Sequence, residues 1–376
     1  MSGSTRCPNK MEVKFSYLDR QFPDIGIYLE DIRQVAKIGD FTLGSAVECF
    51  ERKFADYIGH PHAVGVGSGT DALILPMKLM GIGPGDEVIT CATTFIATLG
   101  AIASLGATPV LVDCDDGYVI DVEQIENAIT DRTKAILPVH YTGNVPDMPA
   151  IKKIAERHGL LIIEDACQAL GASFDGAPVA SWGLAAGFSL HPLKAINVWG
   201  DGGVILTRDE KFAEELRLYR NHGLVNRDEA KFFGMNSRLD SLQAVVGSRL
   251  MADVESITEN RIRIGKHFDK AFNSMKGGVF VPHRKKEVRH VFHLYILRVE
   301  RRDALLSHLN ERGIEAKIHY PIPVHLQEAS RELGYKTGSF PKTEADANRI
   351  ISLPLHQYLE DEEIEYVVDE VQKFYA

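Results

Sequence analysis

The sequence predicts an α/β fold in two parts, a large domain on a seven-stranded, mostly parallel sheet and a smaller C-terminal α+β domain. Three observations predict it. The chain has 376 residues, more than one hydrophobic core usually supports. Short β-rich runs alternate with helical stretches between His62 and Thr207. After Thr207 that rhythm stops, and longer helical patterns take over.

In chain order, Met1–Lys10 is polar and lacks the apolar core of a signal peptide. We read residues 1–14 as a flexible tail. Ile25–Lys37 has helical periodicity, and Phe50, Phe54 and Tyr57 extend a second helix to Gly59. Seven strand-like runs follow: His62–Val66, Glu87–Thr90, Pro109–Asp113, Lys134–His140, Leu160–Glu164, Gly187–Leu190 and Gly203–Thr207. Such near-continuous apolar runs, separated by helices, indicate a parallel sheet covered on both faces. Asp71–Met80, with Leu73, Met77 and Met80 on one face, and Asp147–His158 are two of those helices. Lys211–Arg220 and Leu239–Glu255 read as helices, and Ile257–Asn273 as a helix leaving the large domain. Val291–Val299 alternates like a strand; Asp303–Arg312 is helical and Asp361–Tyr375 is a closing helix. The expected boundaries are 15–254 for the large domain and 255–376 for the small one.

Composition narrows the function classes. Hydrophobic residues make up 45% and charged residues 25%, which excludes a disordered chain and a coiled coil. The net charge of −10 argues against wrapping nucleic acid. No apolar run reaches membrane-spanning length. Cys7, Cys49, Cys91, Cys114 and Cys167 are odd in number, far apart and free of CxxC pairs. Neither a disulfide framework nor a metal site is expected, and the compartment reads as reducing and cytoplasmic.

Ligands of an open α/β sheet bind outside the carboxyl ends of its strands. The first run ends in Gly65-Val-Gly-Ser-Gly-Thr-Asp71, followed by a helix. Glycines allow close backbone approach, and a helix N-terminus favours a phosphate, with Thr70 adding a hydroxyl. Thr70 breaks the GxGxxG spacing and no Gly-Lys follows, so a dinucleotide or nucleoside triphosphate is disfavoured. A plain Gly-rich turn with Thr70 or Asp71 as the helix cap fits the same residues. The fifth run ends in Glu164-Asp165-Ala-Cys-Gln168, where acids after an apolar run need partners. A cationic ring nitrogen would suit Asp165, although a capping role would also serve. The sixth run leads to Lys194, between Leu193 and Ala195, where desolvation would make a usable amine nucleophile. A phosphate cradle, an acid for a pyridinium nitrogen and an amine for an aldehyde are together the needs of pyridoxal 5′-phosphate (PLP).

The order GSGTDAL, TTFIAT, EDACQALGA, FSLHPLK with GDGG, RNHG and GMNSRLDSLQAV resembles the DegT/DnrJ/EryC1/StrS family, and PIPVHLQ and SLPLH resemble its small domain. The resemblance covers residues 15 to 376. It implies a fold-type-I, PLP-dependent sugar aminotransferase. Lys194 would be the Schiff-base lysine and proton carrier, Asp165 the partner of the pyridine nitrogen, and Gln168 the donor to the phenolic oxygen. Gly69, Thr70 and Ser189 would bind the phosphate. Phe95 would cover the ring face, whereas its pattern alone makes it a core aromatic. Asn236 would reach the neighbouring subunit's cofactor, which implies a homodimer with shared active sites. His140, His191, Arg238, His319 and Tyr320 stand near motifs as candidate substrate contacts, and structural roles fit each equally. Trp199 has no assigned role.

The resemblance further implies an amino-acid donor, glutamate, and a keto-sugar acceptor, in amino-sugar biosynthesis for lipopolysaccharide, surface polysaccharide or a glycosylated metabolite. Most of the family uses nucleotide-linked 3-keto or 4-keto sugars. HPLKAINVWGDGG and IGDFTLG resemble instead the branch making 8-amino-3,8-dideoxy-octulosonate, with 8-oxo-3-deoxy-octulosonate as the expected substrate. Two competing readings are a sugar dehydratase, which in this family has His in place of the lysine, and a non-catalytic PLP-binding regulatory protein.

Overall fold

The computed structural model describes residues 11–376, so the expected tail at residues 1–10 lies outside the described residues. Val13 is buried and pairs with Ile314, its N–H donating to the Gly313 carbonyl and its carbonyl accepting from Glu315.

All seven expected strands form one sheet. Their order in space is His62–Val66, Gly203–Thr207, Ala185–Ser189, Leu161–Asp165, Thr133–Ile136, Glu87–Cys91, Thr108–Val112. Neighbours are parallel except around Gly203–Thr207, which runs antiparallel to both of its partners. The fourth strand is shorter than expected because Pro138 has no N–H for the ladder. Beyond it Leu137 and His140 still donate to neighbouring strands.

Helices cover both faces of the sheet. Ile96–Ser104 escapes a periodicity reading because apolar residues surround it on every side. The long helix begins at Val254, and its predecessor stops at Leu250, where Met251–Asp253 make the turn. The C-terminal part is built on an antiparallel sheet of Val279–Phe280, Tyr295–Val299 and Ile350–Leu353. Arg302–Glu311 and Asp361–Tyr375 pack with it, the latter opening in a Glu360/Glu363 capping box. The two parts are stitched together: Val288–Arg289 pairs with Ser173–Phe174, and one apolar cluster runs from Phe50 and Phe188 to Phe268, Tyr295 and Val367.

The described cysteines are free, no metal-binding cluster occurs among the described residues, and no described helix is long and apolar enough to cross a membrane.

Several histidines are buried in neutral form. Burial, with the charges of Arg261 and Arg20, pushes His356 down to about 4, and burial with Arg284 pushes His290 well down. Unfolding lets these rings take protons that the fold refuses. Stability is therefore full above about pH 6.5 and declines as pH falls towards 4, by up to about 1.4 kcal/mol per pH unit per ring. We expect the urea midpoint to fall between pH 7 and 4.5, and His356→Asn to flatten that slope. A midpoint constant over this range would contradict the burial argument.

Candidate active site

The strands that run parallel end at one edge, and the connection Leu190–Gly202 lies over that edge. They frame a cavity of about 430 Å³, within the range of small-molecule sites.

The first wall is the turn into helix Gly69–Leu79. Its cap is Ser68, not Thr70 or Asp71: Ser68 is extended, and its Oγ accepts the Asp71 N–H at 3.0 Å. Asp71 is engaged elsewhere, accepting the Ser237 hydroxyl at 2.7 Å. Gly69 is required by close approach, since a Cβ there would lie 2.6 Å from Ser189 Cβ. The helix N-terminus thus abuts the end of strand Ala185–Ser189. Ser68, Thr70 and Ser189 line the cavity beside that first turn.

Glu164 and Asp165 are consecutive strand residues and so face opposite sides of the sheet. Asp165 faces the cavity, where Oδ2 accepts the Thr98 hydroxyl at 2.8 Å and Oδ1 the Cys167 N–H at 3.2 Å. Glu164 faces away. It accepts the N–H groups of Ala180, Trp182 and Gly183, each at 2.9 Å, and lies 3.0 Å from His140 Nε2. Burial alone would raise the Glu164 pKa; His140 and these N–H groups outweigh it and hold the carboxyl below its ordinary range. His140 is therefore a fully buried structural partner and not a substrate contact, which corrects the expectation for it.

Lys194 lies in the cavity beside Asp165 and Cys167. Burial pushes its amine below the ordinary lysine value, against the opposing charges of Cys167 and Asp165. Its backbone is pinned: the Lys194 carbonyl accepts the Tyr17 hydroxyl at 2.7 Å and Asn197 Nδ2 at 3.0 Å. Gln168 Oε1 accepts the Thr142 N–H at 2.7 Å, which leaves the amide NH₂ for the cavity.

Phe95 lines the cavity and is 48% exposed, so the core-aromatic reading fails. Its ring centroid lies 5.7 Å from that of Tyr320. His319, beside Tyr320, is pushed down to about 4 by burial, Lys317 and Lys194, and its Nδ1 lies 2.9 Å from Ser352 Oγ. His191 also lines the cavity. Arg238 and Asn236 do not. Arg238 donates to Asn221 Oδ1 at 3.1 Å, and Asn236 is exposed on a bridge with Asn221. Trp199 packs between Phe22 and Tyr28, which gives it a structural place.

Residues 27–372 match the DegT/DnrJ/EryC1/StrS aminotransferase family. The chain belongs to that family. A Geobacillus stearothermophilus relative named "Pleiotropic regulatory protein" is 41% identical over 94% of this chain and 95% of its own length. A Streptomyces venezuelae relative, "dTDP-3-amino-3,4,6-trideoxy-alpha-D-glucose transaminase", is 41% identical over 91% of this chain and 90% of its own. The crystal structure of S. venezuelae DesV superposes with a TM-score of 0.93 at 39% identity, covering 96% of this chain and 98% of that one.

DegT/DnrJ/EryC1/StrS aminotransferases are PLP-dependent transaminases that move an amino group from a donor to a keto-sugar acceptor. The residues of this chain fit the cofactor: a helix N-terminus closed so tightly that only glycine fits at position 69, a cavity-facing acid, and a desolvated amine. The sequence reading passed over Thr98, Tyr17, Arg261 and His293, which also line the cavity. Thr98 had a signal, standing one helical turn after Phe95 in TTFIAT. The other three come from remote segments with no motif.

Proposed function

We propose that this chain transfers the amino group of L-glutamate to a nucleotide-linked 3-keto sugar, in the synthesis of an amino sugar. The observation that carries the reading is the convergence of Lys194, Asp165 and the Gly69 helix N-terminus on one cavity. The S. venezuelae relative is named for a dTDP-linked 3-amino sugar, which moves the acceptor away from the nucleotide-free octulosonate.

When bound, PLP supplies an aldehyde for an amine and a ring that accepts electrons. The chain's residues hold it and manage the protons. The N–H groups of Gly69 and Thr70, with the Thr70 and Ser189 hydroxyls, bind its phosphate. Asp165 holds a proton on the ring nitrogen, while Thr98 and the Cys167 N–H fix the carboxylate. Gln168 donates to the phenolic oxygen from an amide whose orientation Thr142 sets. Lys194 Nζ, its charged form disfavoured by burial, takes the proton from the donor's α-carbon and delivers one to the acceptor carbon. Phe95 and Tyr320 flank the cavity mouth as an aromatic pair.

Asn236 and Arg238 serve a second copy of the chain in this reading. Their loop lies beside exposed Phe41 and Leu242, because Thr42 bridges Asp240. A homodimer sharing its active sites would bury these apolar side chains. We place the enzyme in the cytoplasm, in line with its free cysteines. The boundaries 15–254 and 255–376 remain our division of the chain.

The test is an absorbance spectrum of the PLP-loaded protein before and after glutamate. We expect a visible band that glutamate removes, with release of 2-oxoglutarate. A protein that binds PLP but answers no amino acid would be a regulator, as the name of the G. stearothermophilus relative has it. Loss of a sugar hydroxyl as water without amino transfer would mark a dehydratase, which the presence of Lys194 opposes.

A further inference from the structure

Arg261 carries a charge that no acid among the described residues answers. It stands on helix Val254–Asn273 and is 2% exposed. The other buried arginine, Arg220, is paired with Glu51. Arg261 makes no ion pair among the described residues. Nη1 donates to Gln357 Oε1 at 2.8 Å, Nη2 donates to the His293 carbonyl at 3.1 Å, and Nε donates to nothing. The Tyr17 ring lies 5.8 Å from its Cζ. Burial lowers the Arg261 pKa, as expected of an uncompensated cation. A buried charge without a counter-ion is costly, and an anion brought by a ligand would offset that cost.

The position of Arg261 says which ligand. It lines the main cavity and also a smaller one behind Lys194, alongside Gln168 and His293. It is the only arginine among the described residues lining that main cavity. A donor amino acid must present its amine where Lys194 points, with a carboxylate a few atoms away. We propose that Arg261 binds a carboxylate of the amino-acid donor. This rests on the aminotransferase reading above, and it makes helix Val254–Asn273 the element that selects amino acids over simple amines.

The test compares glutamate with n-butylamine, an amine without a carboxylate, on the PLP-loaded enzyme by absorbance. In Arg261→Met the concentration of glutamate needed for half-response should rise about 10- to 100-fold, the value of a hydrogen bond to a charged group. The response to n-butylamine should stay as in the wild type. Equal loss for both amines, or no loss for either, would overturn the proposal. Normal glutamate response with loss of a carboxylated keto-sugar would overturn it too, by assigning the carboxylate to the acceptor.

A second variant covers misfolding. Gln357→Glu gives Arg261 an internal carboxylate in nearly the same shape. Its unfolding midpoint should hold or rise while glutamate binding weakens at least about tenfold. Unchanged glutamate binding there would make Arg261 structural. Calorimetric binding of glutarate to wild type and to both variants reads the same contact without turnover. Wild-type binding of glutarate that Arg261→Met abolishes supports Arg261 even if no amino acid is turned over, and equal binding by both sinks it.

Discussion

Lys194→Ala is expected to lose at least about 10³-fold in turnover, within the range for a positioned general acid–base group. The phosphate cradle does not involve the Lys194 side chain, so PLP binding should persist through Gly69, Thr70 and Ser189. The visible band of the loaded protein should change character, because no protein amine then meets the aldehyde. Lys194→Arg should not restore turnover, since a guanidinium does not give up its proton and so cannot act as a base. Small amines have room in the alanine variant and should recover part of the rate, which a folding defect would not allow. Turnover close to wild type in Lys194→Ala would remove the residue from the mechanism.

Asp165→Asn is the second large effect. Asparagine can still accept the Thr98 hydroxyl or the Cys167 N–H through its one oxygen, so the strand end should fold. What disappears is the negative charge that the proposed mechanism sets against the ring nitrogen. Removing one partner of a buried ion pair costs about 3–5 kcal/mol. If that difference falls on the transition state, turnover drops by about 10²- to 10⁴-fold. The loss should appear in kcat for both half-reactions, with little change in KM for the sugar. Normal kcat with a raised KM would mean that Asp165 positions substrate and does not tune the ring.

The strand edge of the site was legible because each chemical residue stands at the end of an apolar run or within a few residues of it. Gly69, Asp165, Ser189 and Lys194 all stand at such places. Side-chain direction was not legible where the chain leaves regular structure. His140 follows Pro138 at the end of a strand, and only the fold shows it turned to Glu164 beneath the sheet. Phe95 looked like core because it sits among apolar residues, yet it is the N-cap of Ile96–Ser104 and projects from the helix start. Arg261 and Tyr17 were invisible for a different reason. Both line the cavity that holds Lys194 but come from segments remote from it in sequence, and spacing carries no information about that. Helix ends were also soft: the break after Leu250 is a three-residue turn without glycine or proline, so a periodicity reading runs through it.

The opposite facing of Glu164 and Asp165 has a consequence for how this chain can change. The two acids are one atom group apart in chemistry and one residue apart in sequence, but they are not interchangeable. Inserting or deleting a single residue within Leu161–Asp165 would turn every following side chain over. An acid would then confront the Ala180–Gly183 turn from the wrong distance, and the cavity would receive the residue meant for His140. Loops of a protein like this can gain or lose residues over time; this strand can only exchange them.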